Sequence, residues 1–104
     1  MSQLDQSRIR HTVAFTLRHQ DGSPDAASFF EALAALAAID GVEELQVLAE
    51  VSPKNSYRHG VTMEFASRAA YEAYNASPEH VEFVRDRWDA EVADFIEIDF
   101  VAVP

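Results

Sequence analysis

Four side chains in this sequence have the chemical groups that an acid–base site needs. They are His80, Tyr74, His11 and His59, in a chain of 104 residues with four histidines, three tyrosines and no cysteine. A neutral imidazole is the usual general base near neutral pH. A phenol hydroxyl can hold a carbonyl or enolate oxygen by hydrogen bonding. The four residues therefore predict cofactor-independent proton transfer next to a carbonyl group, provided that the fold brings them together.

His80 and Tyr74 flank a break in a helical region at Ser77–Pro78. Proline is favoured at the first position of a helix, and serine before it is a good cap. His80 then lies in the first turn, where the helix dipole disfavours a charged imidazolium. Glu79 and Glu82 act in the opposite direction, and the pattern leaves that balance open. We predict His80 as the general base and Tyr74 as the group that orients the substrate.

His11 and His59 fall on predicted strands whose side chains alternate between apolar and polar. In Ile9–Leu17, the period of two places His11 on the apolar face of the strand. In Tyr57–Phe65, the same alternation places His59 on the apolar face. Both histidines are therefore predicted to point toward whatever covers the sheet, as binding residues beside His80 and Tyr74.

The elements that must position these residues follow the order β-α-β-β-α-β. The first helix begins at Pro24 and ends at Asp40–Gly41, and the two outer strands fall near Leu45–Val51 and Phe95–Val101. This order predicts an α+β, ferredoxin-like fold, in which both helical regions cover one face of a four-stranded antiparallel sheet.

The helix after the break carries an apolar stripe that predicts a core-facing side: Val81, Val84, Trp88 and Val92. Tyr71 and Trp88 are interpreted as core residues, and His19 as a solvent-exposed loop residue. The uncovered sheet face is predicted to be neither strongly apolar nor strongly charged, with residues such as Thr12, Ala14, Thr16, Leu48 and Thr62. That composition leaves monomer and dimer equally open.

The amino-acid composition excludes some classes of function. The formal charge of −10 argues against nucleic acid and anionic membrane surfaces, which require a positive face. We expect one domain over residues 8–104 after a frayed N-terminus at residues 1–7, and a cytoplasmic protein without signal peptide or membrane span. The histidines lack His-x-His or His-x-x-x-His spacing, so we predict no metal and no cofactor.

Several segments resemble one known family. They are Arg10–Leu17 as the first strand, Asp40–Val42 as the helix stop, Tyr74–Phe83 with its Pro-x-His-x-x-Phe piece, and Ile98–Phe100 as the close. The chain is similar over residues 8–102 to the stress-responsive A/B barrel (Dabb) domain of the dimeric α+β barrel superfamily. The resemblance implies a homodimer in which two sheets pack face to face to form a barrel.

One plant branch of that family is similar to polyketide cyclases that close a linear tetraketide by aldol chemistry without a metal. The resemblance to that branch places His11, His59, Tyr74 and His80 at its polar positions, whereas Ser77 stands where it has a further histidine. Two main hypotheses follow. The chain is either a dimeric protein that binds a small apolar or carbonyl-containing molecule without turnover, or a cyclase- or lyase-type enzyme. A monooxygenase activity, found elsewhere in the superfamily, is a third alternative.

Overall fold

A computed structural model describes residues 4–104 and contains one four-stranded antiparallel sheet. The strands are β1 (Ile9–Leu17), β2 (Glu43–Ala49), β3 (His59–Phe65) and β4 (Val92–Phe100). The helices are α1 (Pro24–Ala34), α2 (Arg68–Ala76), α3 (Pro78–Phe83) and the short α4 (Asp89–Glu91). A 3₁₀ turn (Ala35–Ala38) follows α1, and a π-helical turn (Val84–Trp88) joins α3 to α4.

The strand order across the sheet is β2-β3-β1-β4. Every neighbouring pair is antiparallel, with Phe15 of β1 opposite both His59 of β3 and Phe95 of β4. The predicted ferredoxin-like βαββαβ arrangement is therefore confirmed.

The first helix begins where its cap was predicted. The Ser23 hydroxyl accepts a hydrogen bond of 3.2 Å from the Ala26 amide, and Pro24 occupies the first helical position. Phe29 and Leu33 are buried against the sheet, because they lie one turn apart on the same side of α1. The chain turns into β2 at Gly41, whose φ of +89° favours glycine.

The second helical region is broken as predicted, but its apolar stripe differs from the prediction. Val81 is 48% exposed, whereas Phe83 is buried. Val92 is buried as the first residue of β4 rather than as part of a helix. The π-helical turn at Val84–Trp88 accounts for Phe83 in place of Val81, because a wider turn changes which side chains share a helix face. Val92 differs because the last helix ends at Glu91.

The uncovered sheet face is more apolar than the sequence pattern indicated. Ile96, Ile98 and Phe100 of β4 are 44%, 41% and 47% exposed. In the register of β1 and β4, these three side chains alternate with Glu97 and Asp99, which lie on the covered face. The outer strand thus presents its apolar side outward and its acidic side toward the helices.

Residues 1–3 of the predicted frayed terminus lie outside the described residues. Asp5 forms a turn in which its carboxylate accepts hydrogen bonds from the Ser7 and Arg8 amides at 2.8 and 2.9 Å. Its carbonyl also accepts a 3.1 Å bond from the amide of Ala102. Within residues 4–104, no helix combines the length and the apolar character that crossing a bilayer requires.

Candidate functional site

A cavity of about 380 Å³ lies between the covered face of the sheet and the second helical region. Its volume falls in the range of small-molecule sites, about 300–1,000 Å³. Its apolar wall includes Val13, Met63, Phe83, Trp88 and Phe95. Six polar residues complete it, and we call them the polar cluster: His11, Tyr71, Tyr74, Asn75, His80 and Glu97. The cavity can therefore surround an apolar body and hydrogen-bond to a polar group on it.

Three of the four predicted site residues line this cavity: His11 from β1, Tyr74 from α2 and His80 from α3. The fourth, His59, lies outside it. The helix break brings Tyr74 and His80 together, and their ring centroids are 4.5 Å apart. The alternation of side chains along β1 directs His11 to the same cavity, and this residue is only 5% exposed.

His11 belongs to a three-residue hydrogen-bond network with Tyr71 and Asp99. Its Nδ1 lies 2.6 Å from Oδ1 of Asp99, the residue directly opposite it on β4. The Tyr71 hydroxyl donates to Oδ2 of the same carboxylate at 2.9 Å and lies 3.0 Å from Nδ1 of His11. Burial and this bond to Asp99 raise the pKa of Tyr71 to about 12. The network fixes the ring of His11 through Nδ1, and among the described residues Nε2 has no hydrogen-bond partner.

His80 is held by main-chain groups at the helix break. Its Nδ1 lies 3.1 Å from the carbonyl oxygen of Asn75, which can only accept a hydrogen bond. The Ser77 hydroxyl accepts from the His80 amide at 3.3 Å and donates to the Tyr74 carbonyl at 2.8 Å, so one serine joins α2 to α3. Burial lowers the pKa of His80, partly offset by the bond to Asn75. The imidazole is thereby kept neutral at neutral pH, with Nε2 as an acceptor.

Tyr74 is only 2% exposed and packs on Phe65 and His80. Burial raises the pKa of its hydroxyl, with smaller contributions from Tyr71 and Glu97. The residue is therefore a protonated phenol that can donate a hydrogen bond. None of the described residues is a hydrogen-bond partner of this hydroxyl, and it is not sealed in the core, so it is available to a bound molecule.

His59 has an entirely different environment. Its ring lies between Phe15 and Phe30, with centroid distances of 5.9 and 4.8 Å. Its Nδ1 is buried and has no hydrogen-bond partner among residues 4–104. Burial is the main cause that lowers its pKa. The proposed grouping of His59 with the other three residues is thus not found, because their cavity does not extend along the sheet to the Phe15–His59 pair.

Sequence reasoning missed three members of this region. Tyr71, interpreted as a core residue, carries a hydrogen-bonded hydroxyl, and Asp99 and Glu97 were not considered. The signal was available in β4, where Glu97 and Asp99 alternate with three apolar residues. Pairing Asp99 with His11, however, required the register between β1 and β4.

His19, predicted to be exposed, is instead paired with Glu91. Its Nε2 lies 2.7 Å from Oε1 of that glutamate, which also pairs with Arg87. These residues do not line the cavity and are not members of the polar cluster. Within residues 4–104, no group of three or more histidine, aspartate or glutamate side chains is arranged to hold a metal ion.

The sequence model of one protein family, the Stress Responsive A/B Barrel Domain (Dabb), matches residues 9–102. The chain belongs to the Dabb family. A Dabb family protein with a ferredoxin-like fold from Mesorhizobium loti is 49% identical, with a TM-score of 0.92 over 95% of this chain and 100% of that one. A search of curated proteins finds no match.

Two more distant structures share the fold with this Dabb domain. Hydroxynitrile lyase from Passiflora edulis is 15% identical, with a TM-score of 0.82 over 94% of this chain and 95% of that one. A dimeric protein of unknown function with a ferredoxin-like fold from Bacteroides fragilis is 23% identical, with a TM-score of 0.70 over 94% and 99% of the two chains. At these identities the likeness concerns the fold alone.

Proposed function

We propose that this Dabb protein binds a small molecule with an apolar body in the cavity between its sheet and its second helical region. The observation that carries the proposal is the cavity itself, about 380 Å³, with an apolar wall and a contiguous polar cluster. Hydrogen bonds hold His11 and His80 at this cavity, and the Tyr74 hydroxyl is available to a ligand. A buried apolar space with a few oriented polar groups is the usual form of a ligand site.

Tryptophan fluorescence provides a direct test of occupancy. Trp88 is the only tryptophan of the chain, and it lines the cavity. We expect an apolar aromatic ketone, 4-phenylbutan-2-one, to change its emission in a saturable titration. Val84→Phe, which fills part of the cavity, should weaken that binding at least tenfold. Val81→Phe is the matched control, because Val81 lies three residues earlier, is 48% exposed and does not line the cavity. Equal binding by both variants would contradict the proposal.

We also infer that the protein is a homodimer whose second copy covers the exposed sheet face. That face carries Ile96, Ile98, Phe100 and Leu48, each more than 40% exposed. Leu48, Gly60, Ala14 and Ile96 lie in one row across the sheet. The middle of this face is therefore a shallow depression, because Gly60 and Ala14 are small residues between the larger Leu48 and Ile96. Exposed apolar patches of this kind mark interaction sites. The Bacteroides fragilis relative is described as dimeric, which is consistent with this inference.

Light scattering after size exclusion tests the dimer. Ile98→Glu should convert the protein to a monomer, because a charge would be buried between two sheets. Val81→Glu places the same charge on an exposed valine of α3 and should leave the dimer intact. A monomeric wild-type protein, or a dimeric Ile98→Glu variant, would contradict the inference.

A proton-transfer enzyme is the second candidate function. The observation that favours it is the hydrogen bond from Nδ1 of His80 to Asn75, which leaves Nε2 as a base next to the Tyr74 ring. His80 would take a proton from the carbon beside a carbonyl, and Tyr74 would donate to the enolate oxygen that forms. Linear polyketide-type esters, which carry acidic protons beside their carbonyl groups, are the substrates to test first. Turnover that survives unchanged in both His80→Ala and Tyr74→Phe would exclude this candidate.

A further inference from the structure

The ring nitrogens of the two cavity histidines are oriented in the same sense. Nδ1 of His80 faces a carbonyl oxygen at 3.1 Å, and Nδ1 of His11 faces a carboxylate oxygen at 2.6 Å. Carbonyl and carboxylate oxygens accept hydrogen bonds, so both Nδ1 atoms carry the proton. In a neutral imidazole of this tautomer, Nε2 is a hydrogen-bond acceptor.

The second ring nitrogen of each histidine, Nε2, is not part of these hydrogen bonds. Neither Nε2 atom has a hydrogen-bond partner among residues 4–104. In the same range, only one side-chain nitrogen or oxygen is both buried and without a partner, and it is Nδ1 of His59. The Nε2 atoms of His11 and His80 are therefore not sealed in the core. Because both residues line the cavity, a bound molecule would meet two acceptor nitrogens.

Glu97 adds a third acceptor and a negative charge. It lines the cavity and acts electrostatically on Tyr71, Tyr74 and His80. Asp99 carries a second carboxylate directly behind His11. Among the described residues that line the cavity, none is an arginine or a lysine. The cavity therefore has several acceptors and two nearby carboxylates, without a guanidinium or ammonium group among the described residues that line it.

We propose that the cavity selects an uncharged ligand whose apolar body carries a hydroxyl group, such as a phenol or an enol, and that it rejects carboxylates. The hydroxyl donates to Nε2 of His11 or His80. A carbonyl next to that hydroxyl would accept from the Tyr74 phenol, which is free to donate. An anion would approach the carboxylate of Glu97, with Asp99 nearby, and no arginine or lysine among the described lining residues would offset the repulsion. This proposal rests on the binding function proposed above and specifies the class of ligand that the cavity binds.

Three matched probes separate hydrogen-bond donation from charge and from apolar contact. They are 4-propylphenol, its methyl ether 4-propylanisole, and 4-propylbenzoate, titrated against Trp88 fluorescence at pH 8. At this pH a phenol of pKa about 10 keeps its proton. We expect the phenol to bind at least tenfold more tightly than the ether and the benzoate. Equal affinity for phenol and ether, or tighter binding of benzoate, would overturn the proposal.

Two carboxylate variants test the source of the selectivity. Glu97→Gln should raise the affinity for 4-propylbenzoate at least threefold, because it removes a negative charge from the cavity. Asp99→Asn should weaken 4-propylphenol binding, because an amide can donate to Nδ1 of His11 and move the ring proton to Nε2. Asp94→Asn is the matched control on the same strand, since Asp94 is exposed and does not line the cavity. Unchanged selectivity in both Glu97→Gln and Asp99→Asn would overturn the proposal.

The outcomes also distinguish this inference from the function on which it rests. If the ether binds as tightly as the phenol, the cavity is a ligand site but does not recognise hydroxyl groups. If none of the three probes and no aromatic ketone changes the emission of Trp88, the binding function itself is wrong, and the selectivity fails with it. Circular dichroism of each variant establishes that it is folded before its titration is interpreted.

Discussion

His11 and His59 lie on the same face of the same sheet, but they have opposite chemical environments. His11 pairs with Asp99 and Tyr71 at the edge of an open cavity. His59 lies between Phe15 and Phe30 with its Nδ1 buried and unpartnered within the described residues. In the register of β1 and β3, His59 is opposite Phe15, four residues from His11. Four residues correspond to about 13 Å along a strand.

The difference shows what a strand position does and does not specify. The alternation of side chains assigns both histidines to the covered face. Whether a covered histidine can act depends on its cross-strand neighbour, which is Asp99 for His11 and Phe15 for His59. A hydrogen-bonded imidazole beside a cavity can bind a ligand, whereas one between two phenyl rings fills space.

The largest expected effect is on ligand binding. His11→Phe should weaken 4-propylphenol binding at least tenfold, because it removes an acceptor from the cavity. His59→Phe is the matched substitution at the other end of the face and should change binding less than twofold. Trp88 fluorescence titrations of the two variants measure both effects. Equal losses of affinity would mean that the two histidines share one site, contrary to the contrast between them.

The Tyr71 hydroxyl is expected to stabilise the fold as well as the site. Tyr71→Phe removes its hydrogen bond to Asp99 and its contact with His11. We expect a loss of about 1 kcal/mol in the free energy of unfolding, the usual contribution of one such bond. Tyr57→Phe provides the control, because Tyr57 does not line the cavity. Urea denaturation of both variants measures the difference, and an unchanged stability in Tyr71→Phe would contradict a stabilising role for this hydroxyl.

The two serine caps of the broken helical region separate stability from positioning. Ser77→Ala and Ser67→Ala each remove a cap, which accepts from the His80 amide in one case and the Ala70 amide in the other. Each should cost about 1 kcal/mol of stability. Only Ser77→Ala should also weaken phenol binding several-fold, because Ser77 fixes the first turn that carries His80. A comparable loss of binding in Ser67→Ala would argue against a positioning role for Ser77.

The smallest expected effect is on the pH dependence of stability. Burial lowers the pKa of His59, so the unfolded chain binds more protons than the folded one as the pH falls through about 6.5. Folding stability should therefore be constant near pH 8 and decline below about 6.5. Asp21 opposes this shift and Arg58 adds to it, while His80 contributes in the same direction.

Urea denaturation from pH 8 to pH 5.5 measures this decline. His59→Phe should decline less steeply than the wild type, since it has no buried imidazole to protonate at that position. Parallel pH profiles for the two proteins would show that His59 does not contribute. The same variant should keep its phenol binding at pH 8, which links this measurement to the contrast between the two histidines.

The fold was accessible from the sequence because its signals are local. Serine and proline at Ser23–Pro24 and Ser77–Pro78 start helices wherever they occur before an apolar pattern, and period-two alternation specifies the faces of β1 and β3. The stripe that included Val81 was wrong in part, since a π-helical turn has no sequence signature in a helical-wheel pattern. Tyr71 packs against the core as predicted, but the hydrogen bond of its hydroxyl was missed, because a tyrosine looks the same in sequence with or without a partner for that hydroxyl.

The amino-acid sequence by itself determined the family, the order of elements and the face on which each strand residue lies, since these follow from spacing along the chain. Only the tertiary structure decided that Asp99 lies opposite His11, that Tyr71 joins them and that His59 is isolated between aromatic rings. The physical reason is that strand register and helix packing bring together residues up to 88 positions apart. A pattern read along the chain contains no record of which distant residue will be the neighbour.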